Sequence, residues 1–121
     1  MEKISIEESK KTPAVTLDAV TKEFLIKGRS MPEDATEFYE PIILWLREYA
    51  KDPASGGINL EVRLDYFNTT SSKMILEIFK IMENLDDHKI LWYYFEDDED
   101  MQDAGEDFQY IIGDTVELVE Q

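Results

Sequence analysis

Six consecutive polar residues, Asn68-Thr69-Thr70-Ser71-Ser72-Lys73, hold the densest chemistry in this chain. Four adjacent hydroxyls beside an ammonium group, with no cysteine and one histidine in the whole sequence, suit two tasks. One is to cap a helix, because a Ser or Thr oxygen accepts a hydrogen bond from an N–H of the first helical turn; Thr69, Thr70 and Ser71 are the candidates. The other is to carry a phosphate. A helix start presents unpaired N–H groups and the positive end of the macrodipole, with Lys73 close by, and both favour a phosphate there. Phosphorylation adds about −1.5 to −2 charges and three strong acceptors, which changes what can dock.

Other residues with chemical potential are less well furnished. Asp65 stands near the hydroxyls, but no nucleophile–His pair and no glycine-rich phosphate loop accompanies it, so enzymatic activity is not expected. His88 is without a metal-binding companion and reads as a ligand of the last carbonyls of a preceding helix. In the acidic run Glu96–Asp107, Asp98-x-Asp100 opens like an EF-hand loop, but the sixth position is Asp103 rather than Gly and no acid closes position twelve. This run reads as a solvated or partner-facing segment, and no metal or other cofactor is expected. Trp45, Trp92, Tyr93 and Tyr94 read as core or interface residues.

The elements that must position the hydroxyl corner follow from periodicity. Ile58, Leu60, Val62, Leu64 and Tyr66 alternate with Asn59, Glu61, Arg63, Asp65 and Phe67, which predicts a strand with one buried face. Beyond the corner, Ile75, Ile78, Phe79, Met82 and Leu85 recur at helical spacing. Upstream, Ala14–Val20 and Glu23–Lys27 read as an antiparallel hairpin turning near Val20–Lys22, and Gly28–Pro32 ends its second strand. Glu33–Lys51 reads as a helix with a capping arrangement at Asp34 and Glu37, and Pro41 either kinks it or sits near its start. Lys89–Glu96 is a strand apolar on both faces. A short helix through Met101, Ala104 and Phe108 and a strand over Thr115–Val119 complete the chain. Met1–Lys11 is either an edge strand or frayed. Strand–helix–strand crossovers are right-handed, so the later strands should be parallel, with helices mainly on one face of the sheet.

The 121 residues suit one α/β domain over 1–121, and 43% hydrophobic with 12% aromatic residues excludes a disordered acidic tail. A net charge of −16 argues against nucleic acid and anionic membranes and favours a partner with a basic surface. The N-terminus lacks an apolar signal core and no apolar run approaches the ~20 residues of a membrane span, so a cytoplasmic location is expected.

Taken together, Gly28-Arg29-Ser30-Met31-Pro32-Glu33, the stretch Phe38–Trp45, Asp65-Tyr66-Phe67 with the Asn68–Lys73 corner, and the aromatic strand Trp92–Phe95 followed by acids resemble the SiaC family of bacterial regulatory phosphoproteins. The similarity covers nearly the whole chain. It implies a fold related to the STAS-like, anti-sigma-factor-antagonist domains: a mixed sheet with an N-terminal hairpin followed by parallel strands. It also implies a phospho-acceptor directly after the Asn of the corner, here Thr69, with Thr70 and Ser71 as neighbouring hydroxyls that compete for the role. Asn68, Thr70, Ser71, Ser72 and Lys73 would support the phosphate or the partner. The implied partners are a cognate protein kinase, a PP2C-type phosphatase and a diguanylate cyclase bound, and activated, by the unphosphorylated form. The competing expectation is a small acidic scaffold or calcium-responsive module in which Thr69–Ser72 serve only as a cap.

Overall fold

The computed structural model describes residues 1–121, the side chain of Pro53 excepted. Six strands and three helices follow one another as β1 (Ile4–Ile6), β2 (Ala14–Asp18), β3 (Glu23–Ser30), α1 (Ala35–Lys51), β4 (Ile58–Phe67), α2 (Thr69–Met82), β5 (His88–Tyr94), α3 (Glu99–Ile112) and β6 (Val116–Glu120). The strands lie in one sheet in the order of the sequence. β1, β2 and β3 pair antiparallel, whereas β3, β4, β5 and β6 pair parallel. Each parallel crossover steps one strand in the same direction. Right-handed crossovers that all step one way must place their helices on the same face.

The α/β architecture and the hairpin therefore agree with the expectation from sequence; β2 stops at Asp18 and β5 at Tyr94, short of the expected Val20 and Glu96, β6 runs over Val116–Glu120, and three further boundaries change. β3 continues past Lys27 to Ser30, because Gly28, at φ +119°, lets the strand pass close to Glu8. A Cβ at Gly28 would meet the Glu8 carboxyl carbon at 2.8 Å. α1 begins at Ala35 rather than Glu33, with the Asp34 carboxylate accepting from the Glu37 N–H at 3.0 Å. Pro41 lies within this helix on its exposed side, so the Glu37 carbonyl that loses its partner can bond to water. The acidic stretch is mostly the first turns of α3, a helix longer than its apolar spacing suggested, and α3 buries Met101, Gly105 and Phe108. Residues 4–6 form an edge strand against β2 rather than a frayed end.

Two aromatic groups fill the space between sheet and helices. Phe24, Trp45 and Tyr49 pack under α1, Trp45 and Tyr49 being stacked at 5.3 Å. Phe67, Phe79, Trp92 and Phe108 join β4, α2, β5 and α3, with Trp92 and Phe108 centroids 5.1 Å apart. Gly105 sets how closely α3 approaches. A Cβ there would stand 2.5 Å from Trp92 Cδ1 and 2.4 Å from Leu118 Cδ2. The Trp92 indole N–H donates to the Met101 carbonyl at 2.9 Å, which pins the start of the same helix.

Gly105→Ala should therefore lower stability by about 1–3 kcal/mol, although alanine is intrinsically the better helix former by about 1 kcal/mol. Urea denaturation read by tryptophan fluorescence checks the sign. An unchanged or raised midpoint would show that α3 does not depend on this close approach.

Candidate functional site

The hydroxyl corner is shaped by a register change upstream. β3 and β4 pair Gly28 with Leu64, then Arg29 with Tyr66, so Asp65 is passed over as a bulge. One extra residue reverses the in–out phase of everything after it. Leu64 is buried, Asp65 and Tyr66 are exposed, and Phe67 turns inward among the core aromatics. Tyr66, expected on the buried face, instead lies under the Arg29 guanidinium, 5.3 Å from its ring centre. Beyond the bulge, Ser30 of β3 is fully buried opposite Phe67.

Asn68 leaves the sheet and starts α2. Its N–H donates to the Ser30 carbonyl at 3.0 Å, tying the corner to β3. Its side-chain oxygen accepts from the Ser71 N–H at 2.9 Å and from the Thr70 hydroxyl at 3.2 Å. The cap is thus Asn68, not Thr69, Thr70 or Ser71. Asparagine ranks at least as high as serine and above threonine at this position, so the sequence did carry the signal.

Ser71 has a different role from its neighbours. It is fully buried. Its hydroxyl donates to the Ser30 carbonyl at 3.1 Å and accepts from the Ser30 hydroxyl at 2.8 Å. Ser30 Oγ lies 2.5 Å from the Tyr39 hydroxyl of α1. With the single Ser30 proton directed at Ser71, Tyr39 is the donor in that bond. Burial pushes the Tyr39 hydroxyl up to about 12. Three buried oxygens therefore join β3, α1 and α2, and each has a partner. Sequence reading missed Ser30 and Tyr39. Ser30 continues the inward phase of Phe24 and Ile26, which was the available signal.

With Ser71 fixed inward, helical rotation of about 100° per residue turns Thr70 and Thr69 away from the core. Both are exposed, and so is Lys73. Ser72 is half-buried and donates to the Thr69 carbonyl at 2.6 Å. Thr69 and Lys73, at i and i+4, share a helix face. Ser71, by contrast, is sealed inside the hydroxyl cluster, which removes it as an acceptor in this fold.

The remaining candidates stand elsewhere. The Asp98 carboxylate caps α3, accepting from the Met101 N–H at 3.1 Å, a use that competes with a calcium-loop role. Among the described residues no group of three or more His, Cys, Asp or Glu is placed to hold a metal ion. His88 Nδ1 bonds to the Leu85 carbonyl at 2.9 Å, just past α2. Among the described residues no helix is long and apolar enough to cross a membrane.

Comparison with known proteins now bears on this corner. The family model of the SiaC family of regulatory phosphoproteins matches residues 6–121. The chain belongs to the SiaC family. An uncharacterised protein of Pseudomonas aeruginosa is 26% identical over 113 residues, covering 90% of this chain and 89% of that protein. The crystal structure of apo-SiaC from Pseudomonas aeruginosa superposes with a TM-score of 0.83 at 23% identity, covering 100% of this chain and 99% of that one. A chain in the crystal structure of the diguanylate cyclase SiaD in complex with its activator SiaC, also from Pseudomonas aeruginosa, gives a TM-score of 0.82 at 23% identity over 98% of both chains. Identities this low establish a shared fold, and the family match establishes the class of regulatory phosphoprotein.

Two outcomes test the corner of this SiaC-family chain. Asn68→Ala should cost about 1 kcal/mol, measured by denaturant unfolding, because it removes the cap of α2. Tyr39 favours its neutral form more strongly in the fold than in the unfolded chain. Its contribution is therefore complete below roughly pH 10 and is lost as pH rises through about 12, on the order of 2–3 kcal/mol in all. In Tyr39→Phe that component of the alkaline loss should vanish. Parallel stability–pH curves for wild type and variant would contradict the assignment.

Proposed function

We propose that this protein is a partner-switching regulator controlled by phosphorylation of Thr69. A cognate protein kinase adds the phosphate and a PP2C-type phosphatase removes it. The unphosphorylated form binds, and activates, a diguanylate cyclase, and so raises cyclic di-GMP. The chain itself is a substrate and ligand of enzymes, without a reaction of its own.

The observation that carries this reading is the contrast within one helical turn. Thr69 is exposed at the first position of α2, whereas Ser71, two residues on, is buried and hydrogen-bonded. The neighbours of Thr69 are suited to an anion, since the first-turn N–H groups and the macrodipole favour negative charge there and Lys73 follows at i+4. Thr70 is exposed too, but its hydroxyl is engaged with Asn68. The family description and the SiaD–SiaC complex of the relative support the choice of partner class.

A neutral threonine loses little water when a partner covers it. A phosphate dianion must be desolvated at greater cost. Tenfold weaker binding requires only about 1.4 kcal/mol.

The test is affinity for the source organism's diguanylate cyclase. Thr69→Ala should bind within a few-fold of wild type and resist phosphorylation-induced release. Thr69→Asp and the phosphorylated protein should bind at least tenfold more weakly. Equal affinity of the phosphorylated and unmodified proteins would overturn the switch.

A further inference from the structure

Right-handed crossovers put α1, α2 and α3 on one face of the sheet and leave the other face open. Leu25, Leu91, Tyr93 and Val119 lie half-buried on that open face, outside the core cluster that the helices cover. The Arg63 guanidinium stacks 3.6 Å over the Tyr93 ring, and the Tyr93 hydroxyl donates to Glu61. The result is an ordered, partly apolar surface with no element packed on it.

Its charge departs from that of the whole molecule. The strand positions of the open face carry Lys27, Arg29, Arg63 and Lys89 against Asp18, Glu23, Glu61, Asp65 and Glu117. This face is therefore nearly neutral on a protein of net charge −16. Lys27 is set directly across from Arg63 on the neighbouring strand, and like charges so opposed are destabilising. Some of these groups are matched within the protomer. Arg63 pairs with Glu61 and Lys89 with Glu117, each at 3.3 Å. The Asp18 carboxylate accepts from the Val20 and Thr21 N–H groups of the following turn. Among the described residues, Glu23, Lys27 and Arg29 make no ion pair.

Those three stand in order along one central strand. Glu23 opens β3, Leu25 follows, and Lys27 and Arg29 lie toward its end. A strand face that is acidic at one end and basic at the other is complementary to itself when turned end for end. Stacking two copies with their strands antiparallel puts Glu23 of each toward Lys27 and Arg29 of the other, with Leu25 between. Stacking them parallel would set cation against cation. A purely acidic partner would meet Lys27 and Arg29 but would face Glu23, Glu61 and Glu117 with its own charge.

We propose that the open face of the sheet is a self-association surface, on which a second copy of this chain stacks about a twofold axis running across the strands. The pairing is independent of the partner-switching reading, because both Thr69 corners start helices on the outer faces and stay uncovered. Six strands about 4.8 Å apart, rising about 3.3 Å per residue, give a face of roughly 20 by 25 Å, so the pair buries about 1,000 Å² in total. That is the lower limit of a specific interface, so the dimer is weak. The acids of α3 lie on the far side of each sheet, and repulsion between exposed charges farther apart than about 8 Å is largely screened at physiological salt.

Sedimentation equilibrium of the full chain tests this. The apparent mass should rise toward twice that of the monomer between micromolar and millimolar concentration. Leu25→Glu and Glu23→Lys, each checked for native circular dichroism, should dimerise at least tenfold more weakly. Combining Glu23→Lys with Lys27→Glu and Arg29→Glu should restore the dimer, and this triple variant should not pair with wild type. Leu44→Glu, on the exposed side of α1, should dimerise as wild type does. A monomer at every concentration, assembly beyond the dimer, a dimer indifferent to Leu25→Glu, or a triple variant no better than Glu23→Lys alone would each overturn the proposal.

Discussion

The bond on which the corner depends is the one between Ser71 and Ser30. Ser71 reaches back from the first turn of α2 to a strand two elements earlier, giving its proton to the Ser30 carbonyl and taking the proton of the Ser30 hydroxyl. Both groups are fully buried, so each would leave an unpaired polar atom in the core if the other were lost, a cost of about 1–3 kcal/mol. Tyr39 completes the set from α1. This pair fixes the rotation of α2 about its own axis. Because that rotation is fixed, the residue two positions earlier faces outward.

The same bond explains why the β-bulge matters. Without the passed-over residue between β3 and β4, Phe67 would leave the core and Ser30 would lose its inward neighbour. With it, Phe67 enters the aromatic cluster of Phe79, Trp92 and Phe108, and the chain departs from the sheet at Asn68 with its N–H on the Ser30 carbonyl. The aromatic packing and the hydroxyl cluster are thus two sides of one register choice. The acidic helix α3 is held to that cluster through Trp92 and Gly105, which leaves its charged face open to solvent.

Much of this was legible in the residues. The alternation over Ile58–Leu64 and the helical spacing after Asn68 gave β4 and α2 nearly to the residue, because one-sided burial imposes a period that no other element shares. The parallel half of the sheet followed from crossover handedness. The phase change at Tyr66 was not legible. A bulge is a property of two paired strands, and a single strand's pattern contains no record of its partner's register. Ser30 and Tyr39 were hidden for a related reason, since their bond is made across elements far apart in sequence. The choice of Asn68 over the following hydroxyls as the cap was available from cap preferences alone. Four candidate oxygens in a row obscured it, and their separate roles appear only once the burial of Ser71 is known.

The central claim is that one fixed helix rotation offers Thr69 to other proteins and withholds Ser71. Site-resolved mass spectrometry of the protein purified from its source organism, with the phosphatase inhibited, reads this directly. A single phosphate confined to Thr69 is the predicted result. Phosphate recovered on Ser71, or spread evenly over the hydroxyls from Thr69 to Ser72, would contradict it.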